Sequence, residues 1–366
     1  MQKIVVSVTN DLCTDQRVHK ICTTLLEEGF EILLIGRKLK ASGPLNRAYP
    51  THRMRLFFNK GFLFYAEYNL RLFLKLGVTK KDILVANDLD TLLPNFLIAK
   101  LFQKKLVYDS HELFTEVPEL INRPKTQKIW LAIENYILPK INNAYTVCDS
   151  IAEFYEKKYK TPFDVIKNCP AKTIEPLGAF EFNHKNKKII LYQGALNLGR
   201  GLELMIETMN YINNSIFVII GSGDIEKELK DKVEALNLGN KINFLGKLTP
   251  DKLKTLTPLA DLGISIEEDL GLNYRFALPN KIFDYMQANV PLIVADLPEM
   301  KKIILEHNIG LVVKERSPKK LAQQVLEALD NSERYDLWKS NLIETSKNYS
   351  WDIEQEKLLK IFKKLK

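Results

Sequence analysis

Four cysteines in 366 residues (Cys13, Cys22, Cys148 and Cys169) are too few and too scattered for a disulfide framework, and no two stand close together at metal-binding spacing. Reduced thiols in core or loop follow. No apolar run approaches the roughly 18 residues of a membrane span. The N-terminus passes straight into an apolar strand, Ile4 to Val8, without a basic leader and cleavage site. The expected location is therefore the cytoplasm. No G-x-G-x-x-G follows that first strand, which argues against a dinucleotide cofactor. Low-complexity tracts and short-period repeats are also missing.

What is present is a long alternation of short apolar runs and amphipathic helical stretches, in a chain that is 46% hydrophobic. Ile4 to Val8, Glu31 to Ile35, Ile83 to Ala86, Lys105 to Tyr108, Ala144 to Val147 and Asp164 to Ile166 read as strands. Helical patterns such as Asp15 to Glu28, Thr91 to Phe102 and Thr126 to Leu138 lie between several of them. The series restarts with Lys188 to Gln193, Ser215 to Ile220, Ile242 to Leu245, Leu262 to Ser265, Pro291 to Ala295 and Gly310 to Val313. Alternation of this kind means parallel sheets with crossover helices, and its restart means two doubly wound α/β domains. The expected boundaries are 1–170, a linker at 171–187 containing Pro176 and Gly178, a second domain at 188–350, and a terminal helix at 351–366.

The net charge of +8 is unevenly placed, with +7 falling before residue 171. Residues 53–81 alone hold seven cations (Arg53, Arg55, Lys60, Arg71, Lys75, Lys80, Lys81) against one acid, Glu67, interleaved with Phe and Leu. A basic, aromatic helical stretch suits an anionic membrane surface, which gives a peripheral seat on the inner face of the membrane as a second expectation. A core helix with a solvated basic edge is the competing reading, and both stay open. The cations form no nucleic-acid reading head, so nucleic acid is not an expected partner.

The most informative segment is 267–294. An acidic, Gly-containing loop runs into Leu278-Pro279-Asn280-Lys281, then a helix carrying Asp284, then a buried strand. Pro279 suits a helix start because its missing N–H has no partner there in any case, and the free amides that follow form an anion site. A diphosphate fits that site, with Lys281 beside it and Asp284 one turn deeper, placed to accept from ribose hydroxyls. An ordinary capped helix feeding a core strand would show the same pattern. The segment resembles the nucleotide-sugar site of the family 4 retaining glycosyltransferases of GT-B fold, in particular a bacterial subgroup reading LPNK-(aliphatic)-F-(E/D)-Y. That resemblance implies a ribose-binding carboxylate at Asp284. Phe276 stands where the family has a Glu for the donor sugar, so this contact moves to Asn273, Glu267, Glu268 or Asp269, or is absent.

Other motifs extend the resemblance over both halves. Thr14-Asp15-Gln16-Arg17-Val18-His19-Lys20 is similar to the TDQRVHK signature of the subgroup, with Thr14 or Asp15 able to cap a helix and Arg17 facing the cleft or solvent. Asp109-Ser110-His111-Glu112 matches YDSHE at the carboxyl end of a parallel strand, where ligands bind. The resemblance implies that His111 reaches the reacting sugar, with Asn10, Arg17, His19, Asp88 and Glu112 on the acceptor side. The loop Gly194-Ala195-Leu196-Asn197-Leu198-Gly199-Arg200-Gly201 resembles the family's diphosphate loop, in which two cations bind; Ala195 replaces the first, Arg200 is the second, and Lys281 is the natural substitute. Gly221 and Gly223 match a strand-end GxG turn, and Gly246, Lys247 and Leu248 the segment whose backbone meets the nucleobase. Asp88-Leu89-Asp90 read as a DxD metal motif would belong to a one-sheet transferase fold, which leaves the second strand series unexplained. Helix capping and cleft polarity are the simpler account.

Together the resemblance implies two Rossmann-like domains facing a cleft, with the terminal helix crossing back to the first. It also implies hexosyl transfer with retention from a UDP- or GDP-sugar to a glycan or lipid-linked acceptor, in bacterial cell-surface polysaccharide synthesis, without metal or other cofactor. Arg200, Lys281 and the Pro279 helix terminus would stabilise the departing diphosphate. A nucleotide-sugar epimerase of the same fold, or a non-catalytic nucleotide-sugar-binding subunit suggested by Phe276 and Ala195, are the alternatives.

Overall fold

The computed structural model describes residues 1–171 and 177–366, the side chain of Glu119 excepted; of the expected linker, residues 172–176 with Pro176 lie outside the described residues. The chain divides into two compact units, Met1–Asn168 with Glu354–Lys366, and Cys169–Ile353.

In the first unit the strands are β1 (Lys3–Asp11), β2 (Glu31–Arg37), β3 (Thr51–Met54), β4 (Ile83–Asn87), β5 (Lys105–Ser110), β6 (Ala144–Thr146) and β7 (Asp164–Val165). They form one parallel sheet in the order β3-β2-β1-β4-β5-β6-β7. Runs such as Ile4-Val5-Val6 and Ile83-Leu84-Val85-Ala86 are fully buried, as strands covered by helices on both faces must be. The order reverses between β1 and β4, paired from Ile4↔Ile83 to Ser7↔Ala86, so the carboxyl ends of these two strands frame the crevice where such sheets bind ligands. The helix Gln16–Glu27 follows β1, and Asp15 is its cap, accepting from the Val18 amide at 3.0 Å.

The expected basic helix over 53–81 is shorter than the charge pattern suggested. Arg53 belongs to β3, its guanidinium is turned inward onto Asp11 (3.3 Å) and the Gly43 carbonyl, and only Gly61–Val78 is helical. Thr51-His52-Arg53-Met54 is too short and polar to announce an edge strand. The helix Trp351–Lys363 joins the first unit from Glu354 onward: Glu354 accepts from the Lys167 amide at 2.8 Å, Phe362 meets Phe30 edge-on, and Lys363 pairs with Glu28.

The second unit holds β8 (Lys188–Gln193), β9 (Ser215–Ile220), β10 (Ile242–Gly246), β11 (Leu262–Ser265), β12 (Leu292–Val294) and β13 (Gly310–Val312), all parallel in the order β10-β9-β8-β11-β12-β13. Its switch point lies between β8 and β11. Trp338 is fully buried in a core shared with Ile190, Ile264 and Val325. Gly263 on β11 lets the helix Asn280–Gln287 approach: a Cβ there would stand 2.5 Å from the Tyr285 ring. Tyr285 in turn donates its hydroxyl to the Leu191 carbonyl at 2.9 Å, tying that helix to β8. Gly263→Ala is therefore expected to destabilise the second unit by about 1–3 kcal/mol through overpacking, read as a lower urea midpoint.

Candidate functional site

Each sheet has, at its carboxyl end, a buried carboxylate that gathers cations. In the first unit Asp109, at the end of β5, has no exposed surface. It pairs with Arg17 Nη2 at 2.9 Å and His111 Nε2 at 3.0 Å. Burial opposes its ionisation, but Arg17 and His111 outweigh this and hold it down at about 2. His111 reaches Asp88 with its other ring nitrogen (Nδ1 to Oδ2, 3.2 Å), and the His111 amide donates to Asp88 Oδ1 at 2.8 Å. Burial works against an imidazolium, yet Asp109 and Asp88 lift His111 to about 9, so at neutral pH the ring is cationic with both nitrogens engaged. Asp88 has φ 57° and ψ 167°, a region almost confined to glycine. Its carboxylate does not cap the helix Leu89–Leu101 that it precedes, contrary to the expectation for this position; it is spent on His111. Asp90 is buried, accepts from Thr9 Oγ1 at 2.6 Å, and is pushed up to about 8 by burial and by Asp88.

In the second unit Glu267, just past β11, is buried and accepts from Lys281 Nζ at 2.7 Å and from Ser265 Oγ at 2.9 Å, with Arg200 Nη1 at 3.9 Å. Burial would raise its pKa, but Lys281 and then Arg200 reverse that and hold it below the usual carboxylate range. Lys281 stands over the Tyr192 ring and against Gly194, where a Cβ would lie 3.3 Å from its Cε. Gly221 packs on Gly194 so tightly that a Cβ would meet the Gly194 carbonyl oxygen at 1.8 Å. Gly201, at φ 74°, leaves room for the Ile266 carbonyl oxygen, 2.2 Å from where a Cβ would be. Gly199 abuts Leu270 and Tyr274, and Gly223 abuts Leu196 and Asn197. The Gly221 amide donates to the Gly246 carbonyl at 2.9 Å. The glycine-rich loop, the GxG turn, the β10 end and the Pro279 helix start thus converge at the carboxyl ends of β8, β9 and β11.

Residues 178–345, within this second unit, match the family model described as Glycosyl transferases group 1. Across the whole chain the structure is similar to sucrose-phosphate synthase of Thermosynechococcus elongatus (TM-score 0.84, 14% identical, covering 100% of this chain and 99% of that one). It is also similar to Anabaena HepE in complex with UDP-glucose (TM-score 0.76, 13% identical, 100% of each chain). The fold is GT-B. An uncharacterised glycosyltransferase of Methanocaldococcus jannaschii is 28% identical over 184 residues, 49% of this chain and 45% of its own length. The match thus spans less than half of that curated relative.

Of the residues expected to bind the donor, Gly194, Gly221, Gly246, Arg200 and Lys281 are brought together, with differences in exposure. Lys281 is buried rather than facing open solvent, and Glu267, one of the substitutes for the missing sugar contact, is committed to it. Asp269 pairs with Arg275 at 2.7 Å. Asp284 is partly buried and accepts from Gln193 Nε2 at 2.9 Å. Leu278 is buried, Pro279, Leu248 and Asn273 are partly so, and Asn280 and Lys247 are exposed. On the acceptor side Arg17 corrects the expectation that it faces cleft or solvent: it is buried, bound to Asp109 and, at 3.1 Å, to the Ile166 carbonyl. His19 turns to the Tyr49 hydroxyl at 2.9 Å. Asn10 donates to Asp15, and the Glu112 carbonyl accepts from Ser110. Asp109, Gln193 and Tyr192 were not assigned a role from sequence; each ends a strand beside a motif, which is the signal that could have marked them.

His111 and Asp90 both hold a proton more tightly folded than unfolded. Their contributions to stability are complete below the ordinary values of about 6.5 and 3.9 and are lost as pH climbs through about 9 and 8. The stability of the first unit is expected to fall across that interval. The His111 ring, followed by NMR, should titrate near 9 and move down in Asp88→Asn; titration near 6.5 in the wild type would show that the two carboxylates do not hold it.

Proposed function

We propose that the chain is a glycosyltransferase that moves a sugar from a nucleoside-diphosphate donor to a glycan or lipid-linked acceptor, with retention of configuration. The observation that carries this reading is the convergence of Arg200, Lys281 and the loop glycines at the second unit's switch point. Breaking the anomeric bond puts negative charge on the departing diphosphate, and a site with cations and loop amides already in place favours that state over the ground state. The UDP-glucose complex of the structurally similar Anabaena protein supports a nucleotide sugar as donor. Asp88 and Asp109 are engaged by His111 and Arg17, and Glu267 by Lys281, so the leaving phosphate is assigned the task of helping to deprotonate the acceptor. In the first unit the cationic His111 has both ring nitrogens held by Asp88 and Asp109, so the role assigned to it is that of a fixed positive charge rather than of a hydrogen-bond donor or a base. The role in cell-surface glycan synthesis and the membrane seat of the Gly61–Val78 region belong to the same reading, because a lipid-linked acceptor is met at a bilayer.

Arg200→Ala is expected to cost on the order of 2–4 kcal/mol of transition-state stabilisation with the fold intact. For Lys281 the companion change Glu267→Gln avoids stranding a buried charge, so Lys281→Met is made in that background. Donor turnover measured by nucleoside diphosphate release should fall in both; wild-type rates in both would remove the site.

Asp284 is assigned to the ribose. Calorimetric affinity for a nucleoside diphosphate should exceed that for its 2′-deoxy form by about 1–3 kcal/mol, the cost of a desolvated, unpaired acceptor, and Asp284→Asn should shrink the difference. An unchanged preference in the Asn variant would make Asp284 a purely structural partner of Gln193.

A further inference from the structure

Three helices of the first unit, Gly61–Val78, Leu89–Leu101 and Pro124–Ile137, lie side by side in one layer. Their only acids are Glu67, half-buried and bound to Arg71 at 2.7 Å, and Asp90 and Glu134, both buried. The outward face of the layer therefore shows no exposed carboxylate. It shows apolar side chains instead: Leu70 and Leu74, 62% and 60% exposed and one helical turn apart, and on the next helix Leu97 and Leu101, with the same spacing.

Beside this ridge, at the amino-terminal end of β5 and so at the opposite end of the sheet from His111, is a cavity of about 340 Å³. Lys100, Lys104 and Lys140 line it above an apolar floor that includes Phe96 and Leu106. Lys100 and Lys140 are exposed and lean over the rings of Phe96 and Tyr136. Lys104 lies 3.7 Å from Asp82 at a partly exposed site, where pairing is weak.

We propose that this cavity takes the phosphate headgroup of an anionic lipid, while Leu97 and Leu101 enter the boundary of the acyl chains. The inference rests on the membrane reading above and extends it from residues 53–81 across a second and third helix. A soluble phosphate would use the lysines but would leave the adjoining apolar ridge in water. A bilayer with anionic headgroups covers both at once, cations on phosphates and leucines among chains.

The test is sedimentation of the full chain with phosphatidylcholine vesicles, with and without phosphatidylglycerol. Wild type should bind the phosphatidylglycerol vesicles selectively and lose binding with salt. Lys100→Ser with Lys104→Ser and Lys140→Ser should weaken binding about fivefold per lysine, roughly a hundredfold together. Leu97→Ser with Leu101→Ser should also weaken it, while leaving untouched any thermal shift that inorganic phosphate produces. Wild-type vesicle binding in the lysine variant overturns the proposal. So does phosphate stabilisation that depends on the three lysines when phosphatidylglycerol vesicles do not bind, which would make the cavity a site for a soluble anion. Nucleoside diphosphate affinity is measured in parallel and should be unchanged in every variant. Its absence from the wild type would count against the transferase reading, whereas failed vesicle binding with donor affinity intact counts against this inference alone.

Discussion

The carboxylate of Asp109 has no contact with solvent, and burying an ion in this way is costly unless its partners are fixed in advance. Arg17 arrives from the helix after β1 and His111 from the loop after β5, so one buried charge ties together two elements that are distant in the sequence. The demand passes outward. Once His111 carries a proton for Asp109, its second nitrogen requires another acceptor, and Asp88 supplies it from a backbone conformation that costs about 1–3 kcal/mol elsewhere. Strain at Asp88 is thus the far end of a chain of electrostatic requirements that begins in the core.

The second unit meets the same constraint with the signs arranged differently. Glu267 is buried beneath Lys281 and beside Arg200, and all three are held by backbone turns that admit no side chain. A lysine that is both ion-paired and stacked over Tyr192 keeps its position without ligand. Under the proposed function, a diphosphate would meet an ammonium group that needs little reorganisation, shared with Glu267.

Much of this architecture was legible in the sequence because parallel strands buried on both faces are continuous apolar runs: Lys188–Gln193, Ser215–Ile220 and Leu262–Ser265 were read with the boundaries they have. The glycine-rich loop and the Pro279 helix start were legible for a related reason, since backbone crowding selects residue types that stand out. Partners were not. Arg17 and Asp109 are 92 positions apart, and nothing local says that the arginine turns inward. Residues 53–81 misled in a specific way: charge and aromatic content are shared by an edge strand, a loop and a helix, and only the helical part from Gly61 has a helical period.

Residues 354–366 complete the first unit although they follow the second unit in the chain. Leu358 and Phe362 are fully buried in that unit, Phe362 covers Phe30, and the Lys167 amide and the Lys105 ammonium find their acceptors on Glu354 and Leu365. Domains usually fold in the order in which the ribosome delivers them. Here the second unit interrupts the first: the sheet of the first unit is synthesised before Cys169–Ile353 and the residues that cover Phe30 after it, so the first unit is expected to be completed only once the second has been made.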